Sequence, residues 1–142
     1  MKQLNKVTTN LLIKFLDLLK DTDELDIFLT DHPILRIKRG GKVSTEQGNG
    51  FVMGIGALHD KITGSYELKM EFIIIDGRHE LEGEEQLLAY PVGFQDDVNG
   101  VYEESCRIKN NQVVHFSLPF QRAHANLAYQ WLLQLITAGY LE

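Results

Sequence analysis

Residues 65–76, SYELKMEFIIID, constrain the fold more than any other stretch of the chain. Tyr66, Leu68, Met70, Phe72 and Ile74 alternate with Glu67, Lys69 and Glu71, the period of a strand with one buried face. Between Phe72 and Ile75 the alternation gives way to unbroken apolar residues, so the end of this strand is expected to be covered on both faces. A strand of this kind is not stable alone. It requires further strands beside it and a helix or second layer against it.

The flanking sequence supplies both. PILRIKR alternates, Gly40-Gly41 reads as a two-residue hairpin turn, and KVSTEQ reads as the returning strand. NGFVMGIGALHD is a further strand, in which Gly54 and Gly56 suggest a bulge or a close backbone approach. EQLLAYPVGFQ and GVYEESCRI follow, and Asn110-Asn111 makes a tight turn into QVVHFSL. A helix is predicted at each end. Leu11, Leu12, Phe15, Leu18 and Leu19 form an apolar stripe over residues 8–20, with Thr8, Thr9 or Asn10 as its cap. Pro119 and Gly139 bracket a second helix whose stripe is Leu127, Trp131, Leu135 and Ala138. The expected class is α+β: about six strands, mainly antiparallel, with an N-terminal and a C-terminal helix packed on the sheet. The expected core is Phe15, Leu18, Leu68, Met70, Phe72, Ile74, Leu127, Trp131 and Leu135.

With 142 residues, no repeat and no Pro/Gly/Ser-rich linker, residues 1–142 are expected to form one domain. The closing Leu141-Glu142 reads either as native or as the scar of an expression vector. No signal-peptide core and no run of 18 apolar residues occurs, so neither secretion nor membrane insertion is expected. A net charge of -6 disfavours non-specific binding to nucleic acid or to an anionic membrane surface. Cys106 is the only cysteine, which excludes an internal disulfide and fits a reducing, cytoplasmic setting.

Motifs that carry chemistry are sparse. The five histidines (His32, His59, His79, His115 and His124) show no metal-ligand spacing, so no metal and no cofactor is expected. GFVMGIG lacks the strand-turn-helix order of a nucleotide-binding loop. Cys106 with His115 or His124 is the one available thiol–imidazole pair, and a buried, inert thiol is the better reading. Charge is more informative. Residues 76–104 hold nine acids against one base, Arg78, a local charge of -8 that leaves +2 for the remainder. Arg36, Lys38, Arg39 and Lys42 make the hairpin at 36–42 basic.

LKMEFIIID followed by LLAYPVGFQDDVNGVYEES resembles the central segment of an uncharacterised family of small bacterial, phage and plasmid proteins. Those proteins carry a Glu-Met-x-Phe strand and then an aromatic-rich segment leading to an Asp-x-x-Gly-x-Tyr-x-Glu turn, matched here by Asp97, Gly100, Tyr102 and Glu104. LAYQWLLQLITAGY is similar to the family's closing helix. The chain departs from the pattern at Glu67-Leu68-Lys69, where the family has an Asp-Pro pair ahead of Glu-Met. The resemblance implies carriage on mobile elements and supplies no activity.

The leading expectation is a non-enzymatic binding protein with no catalytic residues. Its contacts to a protein partner would come from Glu84, Glu85, Asp96, Asp97, Asn99 and Tyr102. Homodimerisation is also open. Two alternatives differ in class. One is a small enzyme using His115 or His124 with an acidic residue and Cys106. The other is a nucleic-acid mimic that inhibits a host protein.

Overall fold

The computed structural model describes residues 1–78 and 86–142. Helix α1 (Lys6–Leu16) is followed by β1 (Glu24–Ile27), β2 (Leu35–Thr45), β3 (Gly48–Asp60), β4 (Ser65–Asp76) and β5 (Leu87–Asp96). Then come β6 (Val101–Glu104), β7 (Cys106–Lys109), β8 (Gln112–Phe116) and helix α2 (Leu118–Ala138). The class is α+β, with two terminal helices on a mainly antiparallel sheet. Among the described residues the sheet has eight strands in the order β6-β5-β4-β3-β2-β8-β7, with β1 on the edge of β2.

That order brings the sheet back on itself. β6 and β7 stand at opposite ends of it, yet one residue, Ser105, separates them in the chain. Ser105 donates its backbone N–H to the Val92 carbonyl at 2.7 Å. GVYEESCRI, expected as one strand, is therefore two: its first half pairs with β5 and its second half with β8. β8 joins β2 through a single parallel bridge, Ser44 with Gln112.

Each face of the curled sheet has its own core. Leu12 and Phe15 of α1 and Ala128, Trp131 and Leu132 of α2 pack on Leu35, Met53, Met70, Phe72 and Ile74. Val43, Ile73, Tyr90 and Cys106 form a second cluster on the other face, under Ile108 and Val113. The unbroken apolar run at the end of β4 is thus explained, since Phe72 and Ile74 face the helices while Ile73 faces the curl.

Three expectations are corrected. α1 starts at Lys6, not residue 8, because the Asn5 side chain accepts the Thr8 N–H at 2.8 Å, leaving Thr8 and Thr9 buried inside the helix. It ends at Leu16, and Leu18 is 38% exposed rather than in the core. Leu18 and Leu19 donate to Phe15 and Leu16, a tighter i→i−3 turn that swings Leu18 outward and Leu19 inward. Finally, Gly40-Gly41 is no turn. β2 runs through it with a register shift between Arg39 and Lys42. The reversal falls at 46–47, where the Thr45 hydroxyl bonds the Gly48 carbonyl and accepts the Gln47 N–H.

Candidate functional site

The turn between β5 and β6 gathers four of the six residues expected to bind a partner. Asp96 pairs with Val101 across the hairpin, and Tyr102 pairs with Gln95. Glu84 and Glu85 lie outside the described residues. Both turn carboxylates hold the loop in shape. Asp96 accepts the Asn99 backbone N–H at 3.0 Å and its side-chain amide at 2.7 Å. Those two bonds hold the Asp96 carboxyl below the usual carboxylate range. Asp97 accepts the Tyr66 N–H at 2.7 Å, tying the turn to the start of β4, and also the Gln95 amide at 3.0 Å. Gly100 takes a φ of 66°, which closes the reversal.

The two glutamates that follow are also engaged. Glu103 accepts from His124 Nε2 at 2.7 Å, and His124 is 1% exposed. Glu104 accepts from Arg107 at 2.9 Å and from the Tyr102 hydroxyl at 3.3 Å. Asp97, Asn99 and Gly100 face water, and among them stand the apolar Val98 and Val101 and the ring of Tyr102, the last 64% exposed. The acids thus build and rim the hairpin, and an aromatic with two valines forms its outward surface. Sequence reading found the acids, Asn99 and Tyr102 from composition and the turn signal. It missed the valines, because an isolated exposed valine has no pattern to announce it.

A buried polar hub sets where this hairpin stands. Pro91 occupies a bulge in β5, opposite the register shift between Glu71 and Phe72. Its carbonyl accepts the Ser105 hydroxyl at 3.2 Å and the Gln121 amide at 3.1 Å. Gln121, fully buried, also accepts the Lys2 N–H at 2.7 Å. Ser117 donates its N–H to the Ser105 carbonyl, and its side chain caps α2. The hub therefore joins β5, the Ser105 kink and α2. Beside it His124 packs edge-on to Phe94 and stacks on Phe120. With Nε2 donating to Glu103, His124 Nδ1 is a buried acceptor with no partner among the described residues.

The thiol and imidazole groups sit apart. Cys106 is buried in the second core with its sulfur 3.8 Å from Met1 Sδ, and burial pushes its thiol up to about 11. His115 is exposed on β8 opposite Arg107, on the other face of the strand pair from Cys106. His32 caps its own loop through the Thr30 carbonyl. Among the described residues no three His, Cys, Asp or Glu side chains converge as metal ligands, and no helix is long and apolar enough to cross a membrane. Two of the four bases at 36–42 of β2 meet acids on β1 or just before it: Arg36 forks onto Asp26 at 2.8 and 3.0 Å and reaches Glu24, and Arg39 reaches Asp23. No family model, curated protein or solved structure matches the chain.

Proposed function

We propose that this chain is a non-enzymatic accessory protein that binds a protein partner through the β5–β6 hairpin. The observation behind it is that Asp96, Asp97, Glu103 and Glu104 are all hydrogen-bonded within the fold, so Val98, Val101 and Tyr102 are presented on a fixed, acid-rimmed support. A tyrosine ringed by polar groups is the composition of an interface anchor, and a pre-formed loop loses little entropy on docking. The partner this surface suits has an apolar pocket with a basic rim. The negative charge of residues 76–104 would speed encounter more than it would hold the complex. The resemblance to small phage and plasmid proteins is compatible with such a role.

The enzyme alternative draws less support, because Cys106, His115 and His124 have separate surroundings and His124 is shielded from solvent. The nucleic-acid mimic draws less support, because two of the four hairpin carboxylates, Glu103 and Glu104, are paired with His124 and Arg107.

The test is affinity capture with the tagged chain, followed by surface plasmon resonance against the captured partner. Tyr102→Ala should weaken binding by tenfold or more, and the wild-type association rate should fall as salt rises. Equal affinity of wild type and Tyr102→Ala, with unchanged circular dichroism, would remove the hairpin from the interface.

A further inference from the structure

A second surface lies at the far end of the sheet order, on β8. β7 pairs with β8 along one edge. Along the other, β2 meets β8 only at Ser44 and Gln112, where the Ser44 N–H donates to the Asn111 carbonyl at 2.7 Å. From Val113 to Phe116 that edge has no strand partner among the described residues. Beside it runs a groove of about 570 Å³, walled by Ser44–Gln47 on one side and Gln112–Phe116 on the other, with Met1 also in its lining. Such a volume is in the range of ligand-binding clefts, roughly 300–1,000 Å³.

Exposed edge strands are normally blunted by charges or proline, because free N–H and C=O groups recruit any extended chain. This one is not blunted: residues 112–118 hold no Lys, Arg, Asp, Glu or proline. Apolar side chains are instead exposed at every second position, Val114 (53% exposed), Phe116, Leu118 and Phe120, running from β8 into the first turn of α2.

Charge indicates the occupant. Residues 105–141 contain three bases, Arg107, Lys109 and Arg122, and not one acid, a local +3 in a chain of net -6. Lys109 and Arg122 are exposed and have no acidic partner among the described residues, and Lys42 stands two residues before Ser44 on β2. One acid, Glu46, lines the groove, on the turn wall. Size argues in the same direction. The four-residue free edge from Val113 to Phe116 spans roughly 13 Å. It is the right length for a short peptide held by main-chain hydrogen bonds.

We infer that the free edge of β8 takes an extended partner segment, alternately apolar and acidic, as an added strand in the groove beside Ser44–Gln47. The main chain of the segment would extend the sheet. Its apolar side chains would meet Val114 and Phe116, and its acids would be drawn by Lys42, Lys109 and Arg122, which flank the groove in sequence and are not part of its lining. This site is separate from the hairpin and does not depend on the hairpin's role.

The experiment is fluorescence anisotropy of the full chain with fluorescein-labelled decapeptides. The probe is five Val-Glu repeats, compared with five Val-Lys repeats and with the Val-Glu peptide N-methylated throughout, which cannot extend a sheet. Saturable binding of the Val-Glu peptide alone is expected. Lys109→Glu combined with Arg122→Glu should weaken it by tenfold or more with circular dichroism unchanged, and Tyr102→Ala should leave it unaltered. Four results would each overturn the inference: no saturable binding of the Val-Glu peptide, equal binding of the Val-Lys peptide, retained binding of the N-methylated peptide, or indifference to the charge reversals. Sedimentation revealing a dimer that Val114→Glu dissociates would also overturn it, by assigning the edge to a second copy. Loss of peptide binding in Tyr102→Ala would merge the two surfaces and contradict their separation.

Discussion

The Pro91 carbonyl receives two side-chain donors, and Gln121 supplies one of them from a fully buried position. Gln121→Leu keeps the volume but strands the Lys2 N–H and removes one donor from Pro91. Each buried polar group left unpaired costs about 1–3 kcal/mol, so urea denaturation should register a loss of that order. An unchanged midpoint would mean that the hub does not fasten α2 to the kink. Cys106 gives a prediction in pH. Burial raises its thiol from an ordinary value near 9 to about 11. A raised pKa means that the folded state prefers the neutral thiol. The stability this contributes is complete below the unfolded value and is lost as pH rises from about 9 to about 11. Ellman's reagent at pH 8 should therefore label Cys106 only at the rate of unfolding, and Cys106→Ser should flatten the alkaline fall in stability. Rapid labelling of native protein would contradict the burial. Sequence marked Cys106 as inert from its neighbours alone. Nothing in the sequence pointed to Gln121, because a polar residue on a helix reads as a solvent-facing one until its partners are known.

At the scale of elements, two glycines of β3 make room for side chains of β4 to lie across it. A Cβ on Gly56 would stand 2.5 Å from the Tyr66 ring, and one on Gly54 would stand 3.2 Å from the Lys69 side chain. Gly56→Ala should cost about 1–3 kcal/mol through overpacking. Adding Tyr66→Ser should recover part of that loss, and simple additivity of the two changes in thermal denaturation would contradict the contact. The glycines of β3 were legible as a bulge or a close backbone approach, since a strand interior has little other use for them, whereas the Tyr66 ring and the Lys69 side chain are what come close to them. Gly40-Gly41 misled for the same chemical reason, since glycine serves a bulge as readily as a turn. The end of α1 was hidden because Leu18 and Leu19 both continue the apolar period, and only the tightened last turn decides which points inward. The strand at 101–109 was read as continuous because Ser105 carries no break signal. Its kink comes from long-range bonds to Val92 and Pro91.

Across the whole molecule, closure of the sheet at Ser105 has two results. It creates the second core under β7 and β8, and it leaves two exposed surfaces, the acid-rimmed hairpin of β5–β6 and the unpaired edge of β8, which itself carries no Lys, Arg, Asp or Glu. The class and the terminal helices were legible from periodicity and from the proline–glycine brackets of α2. The closure was not, because strand order depends on pairings far apart in sequence. The charge imbalance was legible as a sum. Its meaning changed once each hairpin carboxylate was found hydrogen-bonded, with Val98, Val101 and Tyr102 exposed among them.

Photocrosslinking in the source cells tests docking by the hairpin most directly. Tyr102→p-benzoylphenylalanine places the reactive group at the centre of the surface. Ile62, 96% exposed on the β3–β4 turn, is the control position. A discrete adduct to one protein from position 102 and none from position 62 is expected. The same set of adducts from both positions, or no adduct at 102 in folded protein, would contradict hairpin docking.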